Sequence, residues 1–331
     1  MAGRIGRYLR ALVGVALLAR AIQAAAQAPH TVASPLFSAM PDASTQANGA
    51  TQLERDRAVG WALAQHRKLD AVLKGLQPGR KGMINAFVVS VALDSDPVFA
   101  REAREAGRVL ARRYDAAGHT IVLAGPSGLG TPDDLPMGSP ANLSAALARV
   151  AELMNLDQDV LVLYTTSHGA PFGIVYSDGD QGYGAISPSW LWSTLGELQI
   201  KNRLVIISAC FSGVFAPILA NDFSVVITAA SSDRTSFGCV SENDWTFFGD
   251  AMINHALRQP QPISTAFNEA RTMVGNWEAQ GRMIPSLPQI AMPAEPPAWL
   301  ATLERRMPST PTDPVGKPAV AALEDAQRNN H

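Results

Sequence analysis

DVLVLYTTSHG (159–169) and NRLVIISACFSG (202–213) are the two stretches whose reading decides the fold. Each is an apolar, β-branched run of the kind a strand buried on both faces of a parallel sheet needs. Each stops at one chemically versatile side chain, His168 or Cys210, followed by a glycine or a short turn holding Ser212 and Gly213. In an open α/β sheet, ligands and chemistry gather outside the carboxyl ends of the strands. If the two strands are parallel neighbours, His168 and Cys210 share one edge within reach of one substrate, which is the arrangement of a cysteine nucleophile and its histidine.

The rarer residues narrow the choice. Of the histidines at 30, 66, 119, 168, 255 and 331, only His168 closes a buried-looking strand. His66 and His255 fall in helical patterns, His119 opens a strand, and His30 and His331 lie near the chain ends. Of the two cysteines, Cys210 closes such a strand and Cys239 does not. The competing reading makes both small buried residues, or joins them in a disulfide. Other chemistries lack their residues. No G-x-S-x-G elbow is present, and the stretch Gly125 to Gly128 has neither its spacing nor its setting. Asp178, Gly179, Asp180 and Gly182 begin like a calcium loop, but Ser189 stands where the bidentate Glu belongs, so a turn is expected. A lone histidine with two scattered cysteines offers no zinc spacing, and neither metal nor cofactor is expected.

Around these strands the pattern alternates. Helical periodicity runs over 51–76, with Leu53, Val59, Trp61, Leu63, Leu69, Val72 and Leu73 available for one face. A buried strand (85–93), a helix (about 97–114), a second strand (119–125), a Gly/Pro-rich loop (125–139) and a helix (141–153) follow. After the His168 strand come a hairpin-like stretch (173–186) and a helix capped by Ser187, with Pro188 at its first position. The Cys210 strand, a short helix, a strand at 224–230 and helices at about 244–258 and 262–278 complete the unit. Strands alternating with helices predict an α/β fold, a three-layer α/β/α sandwich with a mainly parallel sheet. Trp190 and Trp192 are candidate substrate platforms near the site.

These strand ends resemble those of the caspase-like cysteine peptidases and, within them, the legumain (asparaginyl endopeptidase) family, which includes the catalytic subunit of the GPI transamidase. The likeness continues through VVITAASSDRTSFGCVSENDWTFFGD (225–250), which is similar to the legumain segment after the nucleophile, and covers about residues 84 to 255. It implies a caspase/legumain-like fold and a bacterial-type secreted cysteine endopeptidase. Cys210 would attack the peptide carbonyl, His168 would protonate the leaving amine, and the N–H groups of Gly169 and Cys210 would form the oxyanion hole. No third acidic residue is obligatory in this clan and none is assigned. A helix beginning just beyond Cys210 would favour its thiolate. The legumain pocket for asparagine implies Asp250 in Phe247-Phe248-Gly249-Asp250 and an arginine after the first strand, Arg101, with Arg104 next. Ser208 stands where the family has a glutamate, so cleavage is expected after Asn, Asp or a small polar residue. A transpeptidase, or a catalytically silent peptide-binding member, is the alternative.

Composition is compatible with this. A chain of 331 residues that is 47% hydrophobic and 17% charged can bury a sizeable core. A net charge of −2 with no basic run argues against nucleic acid, leaving a protein or peptide substrate as the expected partner, with the oligomeric state open. Arg4, Arg7 and Arg10 precede the apolar stretch 11–19, too short for a stable membrane span, and Ala24, Ala25 and Ala26 fit a signal-peptidase cleft. The expected organisation is a signal peptide (1–26), a flexible lead-in (27–50), the peptidase domain (51–300) and a C-terminal tail (301–331), in a periplasmic or secreted protein.

Overall fold

The computed structural model describes residues 34–36, 40–125, 135–321 and 323. The signal-peptide reading, most of the loop at 125–139 and the end of the tail lie outside them. In chain order the elements are α1 (Met40–Asn48), β1 (Gln52–Glu54), α2 (Trp61–Gly75), β2 (Ala86–Ala92), α3 (Pro97–Arg113), β3 (Thr120–Leu123), α4 (Pro140–Leu153), β4 (Val160–Thr166), β5 (Gly169–Ala170), β6 (Gly173–Asp178), β7 (Gly182–Ile186), α5 (Pro188–Glu197) and β8 (Arg203–Ser208). A 3₁₀ turn (Ser212–Phe215), α6 (Ala216–Leu219) and β9 (Ser224–Thr228) come after β8. Next is a continuous helical run of α7 (Phe247–Gly249), a π-helical stretch (Asp250–His255) and a 3₁₀ turn (Ala256–Arg258), then α8 (Ile263–Gln280), β10 (Gln289–Ala291) and α9 (Ala298–Glu304).

The apolar runs become the inner strands of a six-stranded sheet in the order β10-β9-β8-β4-β2-β3, parallel except for β10 at one edge. Because successive side chains alternate, each run feeds both faces. Val88, Val162, Ile206 and Ile227 pack on one side with α3, α8, α9 and the 247–258 run. Val89, Leu163, Val205 and Val226 pack on the other with α4, α5 and α6. Each such side chain contributes about 1.5–3 kcal/mol on burial, so a charge placed at Val162 would break the central strand. The layers are the three-layer sandwich with a mainly parallel sheet that the alternating pattern implies. Helix starts obey local chemistry: the Ser139 hydroxyl accepts from Asn142 N–H at 3.1 Å and that of Ser187 from Trp190 N–H at 3.1 Å, with proline in the first turn of each helix.

Three expectations change. The stretch 51–76 is not one helix. Its start pairs as β1 with β7 in a four-stranded antiparallel sheet, β1-β7-β6-β5. Arg57 explains the switch: it pairs with Asp178 at 2.6 Å, donates to Glu54 at 2.7 Å and lies over the Trp61 ring at 4.1 Å. Val59 and Leu63, assigned to a buried face, are exposed. The lead-in holds a helix, α1, whose Ala43 and Ala47 are buried. The C-terminal stretch is not a loose tail up to residue 319. The Val315 carbonyl accepts from Trp245 Nε1 at 2.8 Å, Ala319 N–H donates to Asp250 at 2.7 Å, and Ala319 is buried. No helix among the described residues is long and apolar enough to cross a membrane.

Candidate active site

Strands β4 and β8 end together, with Thr166 opposite Ser208 and Ser167 N–H donating to the Ser208 carbonyl at 3.2 Å. Two residues further on each stand His168 and Cys210. Gly169 lies so close to Cys210 that a Cβ there would fall on the Cys210 carbonyl oxygen, so only glycine allows the two strand ends to meet. The sheet therefore brings His168, Gly169 and Cys210 to one edge. Ser236 completes the approach: its N–H points at Cys210 Sγ from 3.2 Å, with its hydroxyl at 3.6 Å. Phe211 turns the chain away through a left-handed conformation, φ 57°, held by its N–H on the Arg234 carbonyl at 2.7 Å. Beyond Phe211 the chain forms a single 3₁₀ turn and a four-residue helix, too short to supply the aligned peptide dipole expected after the cysteine.

The histidine ring is fixed from two sides. Phe99 meets it edge-on with centroids 5.1 Å apart, and Asp96 Oδ2 lies 3.5 Å from Nε2. The imidazole is 40% exposed and the Asp96 side chain 13%. Asp94, Asp96 and His168 offer ligand-type atoms all within 4.8 Å of one another, a spacing that could also hold a divalent cation.

Both cysteines are free. Cys239 packs against the cluster of Ala92, Val98, Phe99, Ala103 and Ala124. Burial first, then the neighbouring Cys210 and the acids Glu102, Asp94 and Asp96, push its thiol well above the ordinary value, which keeps it protonated and unreactive.

The three pocket candidates take structural positions. Arg101 donates to the carbonyls of Ser241, at 2.7 Å, and Asn243, and pairs with Asp244 at 3.2 Å. Arg104, the next candidate, donates to the Gly125 carbonyl. The Asp250 side chain is 0% exposed and accepts from Asn254 at 2.8 Å and from Ala319 N–H at 2.7 Å. Ser208 is buried against the Thr246 hydroxyl at 3.2 Å. A buried, bonded side chain is not presented to a substrate. Trp192 is exposed, and Trp190 is partly buried against the core.

Sequence reasoning missed Glu102. It lies fully buried beneath the site and accepts from the Tyr164 hydroxyl, from Thr166 at 2.7 Å, and from Thr246 through both its N–H at 2.9 Å and its hydroxyl at 2.8 Å. Four donors satisfy one carboxylate. Burial and then the Glu102 charge push the Tyr164 phenol well above its usual value, so it stays a donor. Gly249 is cut to fit, since a Cβ there would fall on the Glu102 carboxylate. The signal was present: Glu102 sits in the apolar stripe Val98, Ala106 and Val109 of α3, where a charge needs partners.

Residues 141–293, which contain both His168 and Cys210, match the model of the Peptidase C13 family. Among 63 matching chains of solved structures is the crystal structure of caspase-1 from Spodoptera frugiperda, 16% identical, covering 65% of this chain and 88% of that one with a TM-score of 0.41. No curated protein matches.

Proposed function

We propose that this chain is a legumain-like cysteine endopeptidase working through Cys210 and His168, a reading supported by the match of residues 141–293 to the Peptidase C13 family model. The observation that carries the reading is the meeting of the two strand ends at Gly169 and the Cys210 carbonyl, with Ser236 N–H aimed at Sγ. The Cys210 thiolate attacks the carbonyl carbon, and the oxyanion rests on the N–H groups of Gly169 and Cys210. The C–N bond breaks as His168 gives its proton to the leaving amine. Water, with His168 now as base, resolves the thioacyl-enzyme. Cleavage occurs after Asn, Asp or another small polar residue. This preference is supported by the small, neutral hydroxyl and peptide of Ser236 beside Sγ, with Arg101 and Asp250 engaged elsewhere. The chain is exported by residues 1–26 and works in the periplasm or outside the cell. N-terminal sequencing of fractionated protein tests this, and an intact Met1 in the cytoplasmic fraction would sink it.

Peptide hydrolysis and labelling by a thiol-directed acyl probe test the dyad. Cys210→Ala and His168→Ala should each abolish turnover, and Cys210→Ala should also abolish the label, while Cys239→Ala keeps both. Label carried by Cys239 would defeat the assignment. An added amine acceptor, with analysis of the products, separates hydrolysis from transpeptidation.

A further inference from the structure

Asp96 occupies the position before Pro97 where a carboxylate ordinarily caps a helix, yet it makes no side-chain cap on α3. Its two oxygens go elsewhere: Oδ2 lies 3.5 Å from His168 Nε2, and Oδ1 accepts from the Ser241 hydroxyl at 3.3 Å. The turn that carries it is itself braced. Asp96 N–H donates to Asp94 Oδ1 at 2.8 Å, and Ser95 N–H reaches the Ser177 carbonyl at 2.9 Å, tying the turn to the hairpin of β6 and β7. With Phe99 against the ring, the imidazole is pinned by one carboxylate and one aromatic edge.

Resting on the dyad reading above, we propose that Asp96 is the positioning residue of this site: its carboxylate faces His168 Nε2 and, with Phe99 against the ring, fixes the orientation in which the imidazole serves the strand end that carries Cys210. A carboxylate on the far nitrogen of a catalytic histidine fixes both tautomer and ring orientation. At 3.5 Å the contact is slightly long for a hydrogen bond, as catalytic contacts often are without substrate. Asp94 and Asp96, on the turn before α3, place carboxylate oxygens within 4.8 Å of the imidazole nitrogen and of each other.

The full chain with an Asn- or Asp-containing fluorogenic peptide tests it, measuring kcat and KM between about pH 5 and 8 together with Tm. Asp96→Asn and Asp96→Ala should lower kcat about 10-fold or more, with KM changed less than about 2-fold. Asp96→Glu, whose carboxylate can still reach the imidazole, should recover part of the rate. Asp96→Asn is nearly isosteric and carries the test if the alanine variant fails to fold. Wild-type kcat and pH profile in Asp96→Asn, beside an inactive His168→Ala, would overturn the positioning role and leave the dyad standing. An active His168→Ala would instead overturn the dyad. A loss matched by falling Tm and not recovered by Asp96→Glu would make Asp96 a structural brace, and activity abolished by EDTA and restored by Zn²⁺ would make the cluster a metal site. Either outcome refutes the proposal.

Discussion

The turn at 94–96 and the helical run at 247–258 each set an aspartate near the same sheet, and the fold uses the two in opposite ways. Asp96 stays partly open at the strand edge and faces His168 across 3.5 Å. Asp250, the aspartate that sequence pattern singles out, is sealed by the C-terminal stretch, with Ala319 N–H on one oxygen and Asn254 on the other. Burial pushes its carboxyl above the ordinary value, although both hydrogen bonds and His255 pull the other way. The difference teaches that residue type and motif position do not assign a carboxylate to chemistry. The deciding factor is whether another segment of chain reaches it before the substrate does.

The sharpest way to break this comparison is at the meeting point of the strands. Gly169→Ala puts a methyl onto the Cys210 carbonyl, so the two ends must separate, and the rate of peptide cleavage should fall about 100-fold or more. A variant with near-wild-type rates would show that close approach is not what the site needs. Beneath the site, Glu102→Ala leaves the hydroxyls of Tyr164, Thr166 and Thr246 and one N–H without their acceptor. Denaturant unfolding should report a loss of several kcal/mol, about 3 or more, and a loss below about 1 would mean that water replaces the carboxylate without difficulty.

Asp250→Ala sharpens the comparison directly. Because this side chain fastens residues 315–319 rather than substrate, stability should fall by about 1–3 kcal/mol while the folded enzyme keeps its ratio of rates on Asn and Asp substrates. A shifted ratio at unchanged stability would return Asp250 to the pocket.

The smallest effect concerns pH. Glu278, buried with its carboxylate on Ser286 N–H at 3.1 Å, is raised above the usual glutamate value chiefly by burial. A carboxyl raised in the folded state gives stability that is complete below its unfolded pKa and is lost as pH climbs through the folded one. The wild-type Tm should therefore carry a downward contribution from about pH 4–5 upward, and Glu278→Gln should flatten it. Parallel Tm profiles for the two proteins would contradict this.

How much could be read in advance depends on which interactions are local. The buried strands, the Ser187 cap with Pro188, and the choice of His168 and Cys210 as the versatile strand ends were legible, because burial on two faces forces continuous apolar runs and caps act within one turn. The order in which the strands pair was implied only by the alternation of elements. Glu102 was visible as a charge in an apolar stripe, but its four partners come from β4 and from the segment before α7, far away in sequence.

By itself the sequence determined that the chain builds a mainly parallel sheet with helices on both faces, and which residues end its strands, because hydrophobic periodicity is a property of neighbouring positions. Only the tertiary structure decided that Asp96 faces the histidine, that Asp250 is consumed by residues 315–319, that Arg101 is spent on the 241–244 loop, and that β1 pairs with β7 instead of prolonging α2. Each of these is a contact between segments tens to more than a hundred residues apart. No local propensity encodes such a contact, since the free energy of a charge depends on the particular groups the finished fold places around it.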